Sequence, residues 1–259
     1  MIDFRKAEES FKNYLKNYDV EDGNIKLKIK HTYEVVRKSE YIAKGLNLSN
    51  EDIELAKLIG LLHDIGRFEQ VKQTSDFIDN DEFDHADYGV KVLFEYGMIR
   101  DFTDESKYDD IIKKAIYNHN KYKIGESLND RELLHSKIIR DADKLDNFRV
   151  KEKEHFKNIF PSVYNAETLE YEEISDSVYE AIMRNQCVQS SDRRTQIDYW
   201  ICFIGFIFDL NFDISLNYIK EKNYVDIVID RIDYKNNETK EKMEKIRKVA
   251  NDFLDEKGN

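Results

Sequence analysis

A single proline, Pro161, stands in 259 residues, and only nine glycines accompany it. Sandwiches and barrels need many tight turns, which these two residues supply. A chain so poor in breakers is left with helices joined by short polar connections. Strand-like alternation is correspondingly hard to find, whereas apolar residues recur three or four apart along most of the chain. The expected fold class is all-α. With 41% hydrophobic residues, among them 15 Phe and 16 Tyr, there is enough apolar material for one large core, and residues 1–259 read as a single all-α domain.

The pattern resolves into successive helices. Phe4, Ala7, Phe11, Leu15 and Tyr18 make the first segment amphipathic until Glu21-Asp22-Gly23-Asn24 interrupts it. The next helix carries His31 on one stripe with Val35, Ile42 and Leu46. Ser49 and Asp52 have capping-box spacing and open a helix whose apolar run, Leu55 to Leu62, ends at His63-Asp64. That dipeptide reads as lying inside a core helix, its two side chains about 100° apart. Glu69 to Phe83 is acidic and non-periodic and reads as a loop. Asp84 caps a helix that begins near His85 and stops at Gly97. In Tyr108 to Asn120, His119 continues the face of Ile112, Ala115 and Ile116. Asn129 and Glu132 then open a helix carrying Asp141, Asp143 and Asp146, of which Asp141 and Asp146 read either as groups supporting a ligand or as ordinary surface charges. His135 and His155 have charged neighbours and read as solvated. After Pro161 further helices follow, without repeats; in the last one Glu238, Glu241 and Glu244 each precede a lysine by four residues, the mark of a solvated face.

Charge and cysteines narrow the class. A net charge of −12 argues against a general binder of nucleic acid polymers, and a small anionic substrate would need a local basic pocket. Cys187 and Cys202 give no disulfide framework, and no basic-then-apolar leader opens the sequence. The longest apolar run, Tyr199 to Phe208, is too short to span a bilayer and reads as a buried core helix. A cytoplasmic protein without a membrane partner is expected.

Taken in order, His31, His63, Asp64, His85, His119 and Asp143 form a set of nitrogen and carboxylate donors without thiolates. Such donors suit Mn, Fe, Co, Ni or Zn and disfavour a structural cysteine-type zinc site. Six donors exceed the needs of one tetrahedral ion, so one or two ions are expected, with Asp64 the natural bridge because a carboxylate has two oxygens to share. His85, in the first turn of its helix, is kept neutral by the macrodipole, the form that binds metal; it reads as a ligand, a general acid or merely a helix-start residue.

His31, His63-Asp64 and Asp143 together resemble the H…HD…D signature of the HD-domain superfamily of metal-dependent phosphohydrolases, over about residues 25 to 150. Asp-Ala-Asp-Lys-Leu-Asp at 141–146 resembles the final motif of that family. The resemblance selects Asp143 as the ligand, although helix-wheel geometry puts Asp141 nearer the apolar stripe. His-Asp-Ile-Gly-Arg at 63–67 resembles the branch with two further histidines, which His85 and His119 match. Two features depart from better-known relatives: Arg67 stands where some carry a catalytic glutamate, and no Gly-Tyr-Pro motif follows His119.

The resemblance implies an all-α bundle with the ions between helices, a core at about 25–150 and a C-terminal helical extension at about 151–259. It also implies hydrolysis of a small phosphate ester, a nucleotide or related phosphomonoester or diester, by attack of a metal-activated water. Asp64 and His85 would then be catalytic, and Arg67 and Lys144 would clamp substrate oxygens. Two alternatives keep the same ligands: a di-iron oxygenase, and a metal-binding or sensing protein without turnover.

Overall fold

Side-chain caps fix where the helices begin. In the computed structural model, which describes residues 2–75, 77–79 and 83–258, Asp3 caps α1 (Phe4–Leu15) and Asp22 caps α2 (Gly23–Gly45). Ser49 caps α3 (Asn50–Leu62) through the Asp52 amide, with Asp52 accepting back from the Ser49 hydroxyl at 2.7 Å. Asp84 caps α5 (His85–Val90), which runs on through a π-turn at Lys91–Glu95 and ends before Gly97, at φ 80°. Asn129 and Glu132 cap α8 (Asp130–Lys153) reciprocally. Between these lie α4 (Ile65–Thr74), α6 (Ile99–Phe102) and α7 (Asp109–Asn118). No strand occurs among the described residues, and the fold is all-α, with further helices after the core expected at about 25–150.

Two expectations change. His63-Asp64 does not lie inside a helix: His63 ends α3, Asp64 precedes α4, and the chain turns between them. Apolar periodicity runs unbroken through the turn, from Leu61 and Leu62 to Ile65 and Phe68, all fully buried, so the break leaves no trace in the pattern. The segment from Glu69 is not loop throughout either. α4 continues to Thr74 and buries Gln70 and Val71; the loop expected at residues 76 and 80–82 lies outside the described residues.

The chain divides into two compact units, Met1–Asp146 and Asn147–Asn259, where the sequence reads as one domain with an extension. The boundary falls inside α8, so no polar or glycine-rich linker marks it. In the first unit α2 packs along α3, and α4 and α7 both pack on α5. Two glycines set these contacts. A Cβ on Gly60 would come within 2.9 Å of Ser39 Oγ and 3.1 Å of Val36 Cα, so α3 approaches α2 only because it is absent. A Cβ on Gly66 would overlap the His85 carbonyl and reach 2.9 Å from Gly89 N, so glycine there lets α4 touch α5 backbone to backbone.

In the second unit α14 (Asn237–Lys257) packs against α10 (Asp176–Met183), α12 (Asp213–Glu221) and α13 (Tyr224–Asp230). The run from Tyr199 is buried as expected, but it leaves α11 (Gln196–Ile201) for a 3₁₀ segment at Cys202–Asp209. Trp200, 1% exposed, donates its indole N–H to Val228 O at 2.8 Å. The short α9 (Phe156–Ile159) is capped by the exposed His155. Lys151 is wholly buried here, its ammonium over the rings of Phe203 (3.7 Å) and Phe160 (4.1 Å).

Candidate metal centre

Four imidazoles and two carboxylates of the first unit converge, and in each histidine the outer nitrogen is already engaged. His63 and His119 both stand at helix C-termini and both reach back to the carbonyl three residues earlier: His63 Nδ1 to Gly60 O at 2.8 Å, His119 Nδ1 to Ile116 O at 2.6 Å. A carbonyl only accepts, so each Nδ1 carries the proton and each Nε2 presents a lone pair. His31 Nδ1 meets Asp146 Oδ2 at 2.7 Å, and His85 Nδ1 meets Asp79 Oδ2 at 2.8 Å. Carboxylates behind ligand imidazoles fix the tautomer and raise basicity.

The inner nitrogens sort themselves around Asp64. Asp64 Oδ2 lies 3.5 Å from both His31 Nε2 and His63 Nε2, and Asp143 Oδ1 lies 3.1 Å from His31 Nε2 and 3.9 Å from His63 Nε2. Asp64 Oδ1 lies 3.3 Å from His85 Nε2 and 3.6 Å from His119 Nε2. One carboxylate thus faces two donor sets with one oxygen each.

These residues fit metal on their own geometry. The Nε2 atoms of His31 and His63 are buried without a hydrogen-bond partner, a costly state that a cation relieves. His31-His63-Asp64 and Asp64-His85-His119 each offer three donor atoms within 4.8 Å of one another. His85 Nε2 and His119 Nε2 oppose each other at 2.9 Å, which requires a proton or an ion between two lone pairs.

Electrostatics follow the same division. Burial pushes His63 down to about 3. Burial and Lys28 also pull on His31, but the carboxylates of Asp143 and Asp146 on either side of the ring outweigh them and hold it up at about 9. Burial would raise Asp64, yet Lys28 and the imidazoles of His63, His119 and His85 around it hold it well below the ordinary carboxylate range. Asp79 is likewise lowered, against burial, by His85 and Arg67.

All six expected donors, His31, His63, Asp64, His85, His119 and Asp143, come together here, Asp143 rather than Asp141 facing His31. Arg67 lies at the rim. Its Nη atoms donate to Asp79 (2.8 and 3.2 Å) and Gln70, while its buried Nε has no hydrogen-bond partner and lies 3.8 Å from Asp64 Oδ1. Lys144 is 6% exposed on α8 beside Asp143.

Two residues of the centre, Asp79 and Lys28, carry no assigned part in the sequence reading. Asp79 sits in a non-periodic acidic stretch with no signal to single it out. Lys28, whose Nζ is 2.7 Å from Asp64 Oδ2, is one helical turn before His31, and that spacing was the available clue. Asp146, read from sequence as either a support behind a ligand or a surface charge, is buried behind His31; it follows Asp143 by one turn and so shares its face. His135 corrects its expectation: it is 1% exposed and bonds Asp52 Oδ1 through Nε2 at 3.1 Å. Its neighbours in sequence are charged, but three, four and seven residues on stand the buried Ile138, Ile139 and Ala142.

The family model described as HD domain matches residues 29–147, the segment that supplies every one of the six donors. The match supports HD-domain superfamily membership for this segment, and that family is generally one of metal-dependent hydrolases. No curated protein and no solved structure matches the chain. No helix among the described residues is long and apolar enough to cross a membrane.

Proposed function

We propose that the chain is a metal-dependent phosphohydrolase acting on a small phosphate ester, a nucleotide or a related phosphomonoester or diester. The observation that carries the reading is the division of donors about Asp64: one carboxylate with an oxygen toward His31, His63 and Asp143, and the other toward His85 and His119. Two-metal phosphoryl-transfer sites share this design, in which a bridging carboxylate holds two ions close enough to act on one phosphate.

Divalent transition metal bound there (Mn, Fe, Co, Ni or Zn, one or two ions) supplies Lewis acidity, lowering the pKa of a water and polarising a phosphoryl oxygen. The chain's own residues do the rest. Asp64 sets the spacing of the two donor sets. Asp146 and Asp79 lock His31 and His85 so that only Nε2 faces inward; at His85 that atom serves as a ligand when a second ion is bound and as a general acid when only one is. The unpaired N–H of Arg67 Nε, aimed along the Asp64 side of the centre, is placed to donate to a phosphate oxygen as charge builds there, with Lys144 as a second cation.

The test is a panel of nucleoside mono-, di- and triphosphates, cyclic nucleotides and an aryl phosphate, each with Mn, Co, Mg or Zn, against an Asp64→Ala background. Hydrolysis above background with any metal supports the reading. Its absence throughout, together with a coupled iron pair in protein purified without added metal, would favour the oxygenase alternative.

A further inference from the structure

Asp64 Oδ2 is claimed twice. It is the oxygen turned toward His31 Nε2 and His63 Nε2, and it also accepts from Lys28 Nζ at 2.7 Å. The ammonium therefore rests on the same carboxylate oxygen that the primary donor set offers to a cation. Lys28 reaches it from α2, one turn before His31, with Thr32 Oγ1 bonded to the Lys28 carbonyl at 2.9 Å to hold that turn.

Cover around the primary set is uneven. The side chains of His63, His31 and Asp64 are 0%, 3% and 4% exposed, whereas Lys28 and Asp143 are 15% and 21% exposed. The open side of the set is where these two stand. Lys28 Nζ also lies 5.2 Å from the centre of the Phe77 ring, which borders the same approach.

Resting on the phosphohydrolase reading, we propose that Lys28 has two positions: on Asp64 it stands in for the primary ion, and once that ion is bound its ammonium turns to the open side and takes an oxygen of the substrate's phosphate. Two cations on one carboxylate oxygen repel strongly at such short range, so the ion and the ammonium exclude each other there. Lysine suits the second task because it is a compact charge with three donors on a flexible stem. Turned toward the open side, the displaced charge meets the anion that the centre draws in. The consequence is ordered loading: phosphate meets a free ammonium only when metal is in place.

Two binding measurements read this without turnover. Lys28→Met should tighten Mn²⁺ or Co²⁺ at the primary site about tenfold, because the internal competitor is gone. In the metal-loaded protein the same substitution should weaken inorganic phosphate about tenfold or more, and Lys28→Arg should keep most of that affinity. Thermal melts of both loaded variants check that the fold is intact. Unchanged metal affinity or unchanged phosphate affinity in Lys28→Met would overturn the proposal. Absence of phosphate-ester turnover in the wild type would overturn the hydrolase reading alone, since neither binding measurement depends on it.

Discussion

His85 Nε2 and His119 Nε2 face each other at 2.9 Å, and neither ring is free to turn away, because Asp79 holds the first by Nδ1 and the Ile116 carbonyl holds the second. Two lone pairs at that distance make a site that wants a cation. Asp64 Oδ1, 3.3 and 3.6 Å from the pair, completes it.

Removing one ring should therefore empty one set and spare the other. His119→Ala is expected to lower metal content from close to two ions per chain to close to one, with the ion at His31, His63 and Asp143 retained. Elemental analysis of protein loaded and then desalted checks this. A stoichiometry near one in both proteins would show that His85 and His119 hold no ion of their own.

Asp79 acts behind His85, so its charge should be felt as affinity rather than occupancy. Asp79→Asn keeps an acceptor for His85 Nδ1 but loses the negative charge. The second ion should then bind about 10- to 100-fold more weakly, with the first unchanged. Competition with a chromophoric chelator separates the two affinities.

Gly66 makes a steric prediction. A methyl group there would overlap the His85 carbonyl, a backbone atom that cannot move without shifting the start of α5. Gly66→Ala should cost about 1–3 kcal/mol or more in denaturant unfolding. It should also weaken the second ion, because His85 is the first residue of the displaced helix. Full stability with intact dinuclear loading would show that α4 and α5 can separate.

His135 gives a pH dependence away from the centre. Burial lowers its pKa below the ordinary 6.5, despite the opposing bond from Asp52. The unfolded chain therefore takes up this proton more readily than the folded one. The stability linked to His135 is present above pH 6.5 and is lost as pH falls below it toward the folded value. His135→Gln should remove that part, so the gap between wild-type and variant melting temperatures should shrink as pH drops from 7.5 to 5.5. A gap constant with pH would mean that His135 does not change its proton affinity on folding.

Which parts of this were legible in the sequence follows from what periodicity can see. His31 and His119 continue apolar stripes, and His85 follows a capping aspartate, so their inward placement is written in spacing that the chain displays. The turn at His63-Asp64 is not, because both flanks are apolar and buried, and the pattern of one helix passes smoothly into the next. Asp79 and Lys28 act through tertiary contacts 6 and 36 residues away in sequence; Asp79 lies on no stripe, and Lys28 offers only its one-turn spacing before His31. The boundary at residue 146 is hidden for a related reason: α8 runs through it without a breaker.

Phosphate chemistry and oxygenation differ in their need for cations at the rim. Arg67 is fixed by Asp79 and Gln70 through its Nη atoms, which leaves Nε–H facing Asp64 at 3.8 Å. A side chain held this way donates without reorganising when charge develops on a phosphate, the condition under which one hydrogen bond contributes most to catalysis. Arg67→Gln or Lys144→Gln should lower kcat about 10²-fold with little change in KM. Metal content must be measured alongside, because Asp79 loses its ion pair in the first variant and with it part of its hold on His85; re-addition of metal to saturation distinguishes that loss from a direct one. A deficit that persists at saturating metal places the cation on the reacting phosphate. An oxygenase acting on an uncharged substrate would show no deficit once both ions are restored, and that outcome would remove Arg67 and Lys144 from the chemistry.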